Sequence, residues 1–568
     1  MSGIVGAWDL GGRPLGSELL TAMLERIGHR GQDGLSVWGE GAIGLGCALR
    51  RNTAESGGEV QPFVHASGSV IVFDGRLDDR EELISALESR PEADALAPDP
   101  ELVMAAYEAF GESFVEKLSG DFAFAIFDPA KQWLVMARDP IGARPLHFFR
   151  SRDTFLFASE ISALLSHPSV ETKPNLGQLA QYLQDGTRSM EASTTFFEDI
   201  HSLLPANVAI VTPSRFVTRR YWDFDGARHL RFESPEGYLS GFGFQLERAV
   251  RRRMRTVGEV QVGGGATPLD ASLRAIALDI RRDDVAVTAP TPCTVDELAA
   301  AVAASESPST GASGVCGMPR SAGAGMVMWG PPADAMFQDR TFLVDLAGHL
   351  EWGELAAHLR SLSESSEEPG AYGRFAADFF SSHAPPFLAR RRARGTAPEW
   401  YSEGFKESGD GLASAEPVRR GDFATHHSRA IYGLVRSWRT VLEMESANKI
   451  GAEFGMEVAF PFMDRDLLAF LMAIPGEERS RPGFPFAILG QGPDAGVQLP
   501  TLGLDGLQDA ISGLAEAATC SRFDVTDQVR LAVEVPSCLL RAQSGDLGAV
   551  RDLRALLGTE MWLQSFFT

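Results

Sequence analysis

Apolar positions in the first part of the chain cluster in short dense runs rather than in a helical stripe. Residues 69–73 read as a strand that ends at the turn dipeptide Asp74-Gly75. Residues 122–127, 133–137 and 154–158 repeat the pattern, bounded by Asp-Pro and Arg-Asp turn signals. Strands this apolar predict burial on both faces. Between them, residues 78–82 open a helix with Asp near its cap and Glu behind it, and residues 101–118 read as an amphipathic helix. Two packed sheets with helices outside satisfy both requirements.

The later pattern is less regular. Residues 259–262 read as a strand, followed by a glycine-rich loop and a helical run. Residues 326–329 form a second apolar strand. The Ala-, Ser- and Gly-rich stretch 299–325 reads as a linker or degenerate loop. Residues 504–568 predict short amphipathic helices, whose apolar end (562–567) packs on the body or meets a partner.

At 568 residues the chain exceeds a single core and predicts two large domains. A hydrophobic fraction of 44% with 23% charged residues is that of a globular protein. The net charge of −24 argues against nucleic acid or an anionic membrane as partner. Positive charge is almost all Arg; Lys occurs at Lys117, Lys131, Lys173, Lys406 and Lys449. The chain shows no long apolar run and no secretion signal, so a cytoplasmic protein without a membrane span is expected. The cysteines lie at no metal-ligand spacing. His426-His427 lacks companions at metal spacing, and Arg390-Arg391-Arg392-Ala393-Arg394 reads as a solvated helix face or a peptide-docking patch.

The start, Met1-Ser2-Gly3-Ile4-Val5-Gly6, carries candidate chemistry. A hydroxyl beside a free α-amine is one way to activate a nucleophile. His29-Arg30-Gly31-Gln32-Asp33-Gly34, Phe73-Asp74-Gly75-Arg76, Gly120-Asp121-Phe122-Ala123, the run from Ala137-Arg138-Asp139-Pro140 to Arg144-Pro145-Leu146, and Phe157-Ala158-Ser159-Glu160 follow in order. In that order and spacing the chain resembles the asparagine synthetase family. Near the other end, Glu457-Val458-Ala459-Phe460-Pro461-Phe462-Met463-Asp464 is similar to that family's Glu-x-Arg-x-Pro-Phe-Leu-Asp segment.

The resemblance implies an α+β N-terminal-nucleophile αββα sandwich, a class II glutamine amidotransferase-like domain, over residues 1–225. It implies an α/β, helix-rich synthetase domain of the adenine-nucleotide α-hydrolase-like type, partly degenerate, over residues 226–568. In such a family the nucleophile is Cys; here it is Ser2, whose hydroxyl is far harder to deprotonate. The family's oxyanion pair Asn-Gly becomes Asp74-Gly75, and an ionised carboxylate repels an oxyanion. The next residue, Glu in the family, is Arg76. By resemblance Arg50 or Arg51 holds a glutamine carboxylate and Asp99 its ammonium. This substitution pattern is similar to the branch that lost glutaminase activity, which includes β-lactam synthetases and lasso-peptide macrolactam synthetases.

For the second domain the resemblance implies an ATP loop at Gly263, Gly264, Gly265, Asp270 and Ser272, with Mg²⁺ on Asp270 and Asp334. The family's leading loop Ser is Gly263, and Pro268, which lacks an N–H, interrupts the cradle. Where the family places cations for the leaving pyrophosphate, residues 484–490 are apolar, which removes charge stabilisation. Three readings follow. One is a pseudo-synthetase or scaffold in peptide or natural-product maturation that uses no cofactor and binds a peptide, a small carboxylate or a partner biosynthetic enzyme. The second is an active amide-forming ligase that uses ATP and Mg²⁺, passes through an acyl-adenylate and employs Glu457 to orient or deprotonate the amine. The third is an N-terminal serine amidohydrolase. The first is favoured narrowly.

Overall fold

The computed structural model describes residues 1–87, 94–185, 193–262, 268–280, 285–287, 294–309, 324–330, 336–337, 339–364, 372–373, 375–377, 379, 398–408, 422–479, 510–511, 519–544 and 546–568. Its first half contains β1 (Gly3–Asp9), β2 (Gly34–Glu40), β3 (Ile43–Leu49), β4 (Phe63–Val64), β5 (Val70–Leu77), β6 (Gly120–Asp128), β7 (Trp133–Arg138), β8 (His147–Arg150), β9 (Thr154–Ala158), β10 (Ile200–Ser202), β11 (Asn207–Val211) and β12 (Phe216–Arg220). They form two six-stranded sheets, in the orders β10-β8-β9-β1-β3-β2 and β12-β11-β7-β6-β5-β4.

The period-two rule explains the layers. Val70 and Val72 on β5 face the space between the sheets, beside Ala123 and Ala125 of β6 and Ile4, Trp8 and Leu45 of the other sheet. Their neighbours Ile71 and Phe73 face outward against Leu102, Val103 and Ala106 of helix Asp99–Phe110. Helix Ser17–Arg26 covers the other sheet with Leu20, Met23 and Leu24. The first half is therefore an αββα sandwich, and both faces of its central strands are buried.

Two local expectations change. Asp74-Gly75 is not a turn: β5 runs through it to Leu77, paired with β6. Gly75 has φ +152°, and a Cβ there would lie 2.3 Å from the Asp121 carbonyl oxygen, so close strand approach explains the glycine. The helix expected over 101–118 ends at Phe110, and Gly111, at φ +57°, starts a 3₁₀ stretch to Lys117.

The second half holds four parallel strands, β13 (Glu259–Val262), β14 (Val285–Val287), β15 (Ala324–Met328) and β16 (Glu457–Ala459), in the order β14-β13-β15-β16. Strand order reverses between β13 and β15, the place where open α/β sheets receive ligands. Part of the stretch read as a linker is helix Val295–Ser305, started by a Thr294/Glu297 capping box. The C-terminal segment is longer-ranged than expected, with helices Gln528–Gln543 and Leu547–Phe567. Trp562 is fully buried and meets Phe196 and Phe197 of the first half at ring distances of 5.6 and 5.5 Å.

Ion pairs join the halves. At the end of helix Pro235–Arg253, Arg252 pairs with Asp79 and with Asp464 at 3.0 Å, and Arg253 with Asp121 at 3.3 Å and Asp464 at 2.9 Å. Arg138 meets Glu445 at 2.7 Å. Lys449 holds Glu306 at 2.7 Å, and Glu306 accepts from the Ile161 and Ser162 amides at a helix start in the first half.

Candidate functional site

Strands β1, β3 and β5 bring the N-terminus, the residues after β3 and the Asp74-Gly75-Arg76 segment together. A small pocket at this place is lined by Met1, Ser2, Arg50, Asn52, Thr53, Ser56, Glu59, Phe73, Gly75, Arg76, Asp99, Arg144 and Glu457. Ser2, Gly75, Arg50, Arg76 and Asp99, singled out in sequence, thus share one wall. Glu457, expected by resemblance to orient or deprotonate an amine, also lines this pocket.

The Ser2 hydroxyl accepts from the Arg50 amide at 3.1 Å and faces the Arg50 carbonyl at 3.4 Å. The Met1 amine is buried, and desolvation together with Arg50 and Arg144 pushes its pKa down to about 4.

The charged groups of the wall are largely committed to one another. Arg76 donates from Nε to Asp78 at 3.0 Å, from Nη2 to Asp121 at 3.1 Å and from Nη1 to Glu457 at 3.3 Å. It is fully buried, and these carboxylates hold its charge firmly against the desolvation. Asp99 accepts from the Leu77 amide at 2.8 Å and pairs with Arg80 and, at 3.4 Å, with Arg255. Arg51 donates to the Glu59 carbonyl at 2.8 Å, and Arg50 to the Gly325 carbonyl at 3.3 Å. Glu457 accepts from Arg144, Arg76 and Asn52. Although burial raises its pKa, Arg144, the N-terminal amine and Arg76 together hold its carboxyl well below the usual range.

Asp74 behaves differently. It is fully buried and its two carboxyl oxygens accept no hydrogen bond; the nearest cation atom, Arg30 Nη1, is 3.6 Å away. Burial raises its pKa against the pull of Arg144 and Arg30. The ionised carboxylate suggested by the sequence is therefore disfavoured, and the neutral acid is the form the site promotes. Glu59 is a second buried carboxyl, pushed up to about 7 chiefly by desolvation, with Gln61 donating to it at 2.6 Å.

Sequence reasoning missed Asn52, Glu59 and the role of Arg144. Arg144 stands inside a motif that reads as a turn and core device; Asn52 directly follows the Arg50-Arg51 pair. Glu59 carries no local signal.

Ser272 is fully buried in helix Pro268–Ile280. Gly263, Gly264, Gly265, Asp334, the Asp270 side chain, residues 390–394 and residues 484–490 lie outside the described residues. No group of three metal-binding side chains occurs among the described residues. His426 bonds Asp345 at 3.0 Å, and His427 bonds the Leu471 carbonyl at 3.2 Å. No described helix is long and apolar enough to cross a membrane.

Fold and site define a two-part chain, an amidotransferase-type sandwich joined to a parallel α/β unit. Residues 1–222 match the glutamine amidotransferase domain family and residues 276–490 match asparagine synthase. The two matches together place side by side the two domain types of an asparagine synthetase. The chain is 28% identical over 215 residues to asparagine synthetase [glutamine-hydrolyzing] 3 of Bacillus subtilis, covering 37% of this chain and 35% of that protein. It is 31% identical over 236 residues to amidase chyE of Penicillium rubens, covering 41% of this chain and 34% of that protein. The chain thus spans about a third of the length of the curated relatives it matches. Among solved structures, it is similar to glutamine phosphoribosylpyrophosphate amidotransferase from Bacillus subtilis (16% identity, 50% of this chain, 65% of that chain, TM-score 0.29). It is also similar to a glutamine aminotransferase class-II domain protein from Silicibacter pomeroyi (13% identity, 38% of this chain, 97% of that chain, TM-score 0.22).

Proposed function

We propose that this chain is a pseudo-synthetase: a two-domain scaffold of the asparagine synthetase lineage that has lost glutamine hydrolysis and serves peptide or natural-product maturation. Its partner is a peptide, a small carboxylate or a biosynthetic enzyme. One observation carries the reading: Asp99, the acid assigned to the glutamine ammonium by resemblance, and Arg76 are engaged in ion pairs within the protein, while Arg50 and Arg51 donate to backbone carbonyls. Asp99 is taken by Arg80, Arg255 and the Leu77 amide. Arg76 is taken by Asp78, Asp121 and Glu457. A substrate would have to break buried ion pairs to bind, and breaking such a pair costs about 3–5 kcal/mol. Ser2 adds a nucleophile that is poor without a strong base.

ATP and Mg²⁺ enter through the family resemblance. Ser272 does not fit a hydroxyl presented to phosphate, because it is fully buried. The second reading, an ATP-dependent amide ligase, draws support from the intact parallel sheet with its order reversal at β13 and β15. Calorimetry with Mg²⁺-ATP separates the two readings. The scaffold predicts no binding heat at millimolar nucleotide, whereas saturable binding with carboxylate-dependent pyrophosphate exchange establishes the ligase. Ammonia release from glutamine, abolished in Ser2→Ala, overturns the loss of the glutaminase.

A further inference from the structure

Of the pocket-lining residues, Glu457 alone comes from the second half. Arg144, Arg76 and Asn52, from separate segments of the first half, converge on its carboxylate. The two arginines differ in what they would keep without it. Arg76 retains Asp78 and Asp121. Arg144 pairs with Glu457 through Nη2, while its buried Nε and Nη1 have no hydrogen-bond partner. Donor capacity at Arg144 therefore exceeds what Glu457 uses, and it faces a wall that also bears the Ser2, Thr53 and Ser56 side chains. Glu457 itself begins β16, which ends the sheet and pairs with β15 alone among the described strands.

We infer that Arg144, Arg76 and Asn52 form a carboxylate receptor in the first domain that Glu457 of the second domain keeps shut, and that the carboxylate of a small acid or amino acid takes these donors when Glu457 withdraws. The tethered Glu457 competes at an effective concentration set by the fold rather than by solution, so outside carboxylates bind poorly while it is in place. The receptor is independent of whether the second domain binds ATP and of whether glutamine is hydrolysed.

The test is rescue of a missing carboxylate. In Glu457→Ala, sodium acetate at 50 mM raises the unfolding temperature by about 2–4 °C over sodium chloride of equal ionic strength, and the native chain shows no such difference. L-glutamate binds Glu457→Ala at least tenfold tighter than the native chain by calorimetry, and the gain disappears in Glu457→Ala/Arg144→Met. If Glu457→Ala does not fold in chloride, recovery of folded protein in acetate reads the same rescue. Glu457→Gln, which keeps the shape and removes the charge, supplies the second variant. Acetate acting no better than chloride in both variants, with no tenfold gain for L-glutamate in the folded one, overturns the proposal.

Discussion

Arg76 and Asp74 lie on the same strand, and the fold accommodates their charges in opposite ways. Arg76 is surrounded: Asp78 and Asp121 from its own domain and Glu457 from the other take its donors. Asp74 is abandoned: burial raises its pKa and no donor reaches its oxygens. One charge is kept by recruiting partners, the other is discouraged by withholding them. A motif read residue by residue treats both as simple substitutions, yet the first joins the domains and the second is a buried acid whose ionisation burial disfavours.

The largest expected effect breaks the Arg76 side of this contrast. Arg76→Ala leaves Asp78, Asp121 and Glu457 without their shared cation and costs about 3–5 kcal/mol in urea unfolding. Arg76→Lys restores only part, because a single ammonium cannot reproduce three directed donors. A loss below about 1 kcal/mol for Arg76→Ala would show that the junction contributes little.

The extent to which this was legible follows from distance along the chain. Strands β6, β7 and β9 announce themselves because both faces are buried, so their runs 122–127, 133–137 and 155–158 are apolar throughout. Asp74-Gly75 misleads because Asp-Gly is a strong turn signal, whereas this glycine answers a steric contact with Asp121 on the neighbouring strand. Helix Val295–Ser305 was hidden by its alanines, although Thr294 and Glu297 mark its start. The site shows the limit most clearly. Ser2, Arg50, Gly75, Arg76 and Asp99 are readable by resemblance, but Glu457 stands 381 positions from Arg76. No local pattern reports that a carboxylate from the far half fills the pocket.

Glu59 sharpens the Asp74 side with a measurable window. Its pKa is about 7 in the folded chain against 4.5 for the free group. A raised carboxyl pKa means that the folded state binds the proton more tightly. Its contribution is fully present below about pH 4.5 and is lost as pH rises through 7. The difference is about 3 kcal/mol across that range. Glu59→Gln removes this component, so the stability difference between variant and native chain should grow in favour of Gln from pH 5 to pH 8. A difference that stays flat over that range shows that Glu59 does not titrate there.

The smallest effect tests Asp74 itself. Asn has the same shape and no titratable proton. At pH 3, below the free aspartate value of 3.8, Asp74 is mostly protonated in both the folded and the unfolded chain, and Asp74→Asn should change stability little. As pH rises, the native carboxyl either stays protonated at a growing cost or ionises without a hydrogen-bond donor; Asn avoids both. The variant should therefore be more stable at pH 8 by roughly 1–3 kcal/mol, the cost of an unsatisfied buried polar group. The carboxyl carbon of Asp74 in a ¹³C-labelled sample should titrate above the ordinary aspartate range, which excludes a general loosening of the pocket as the cause. If Asp74→Asn is destabilising at pH 8, the ionised carboxylate must be stabilised by Arg30 and Arg144 across space, and the contrast with Arg76 becomes one of distance rather than of protonation.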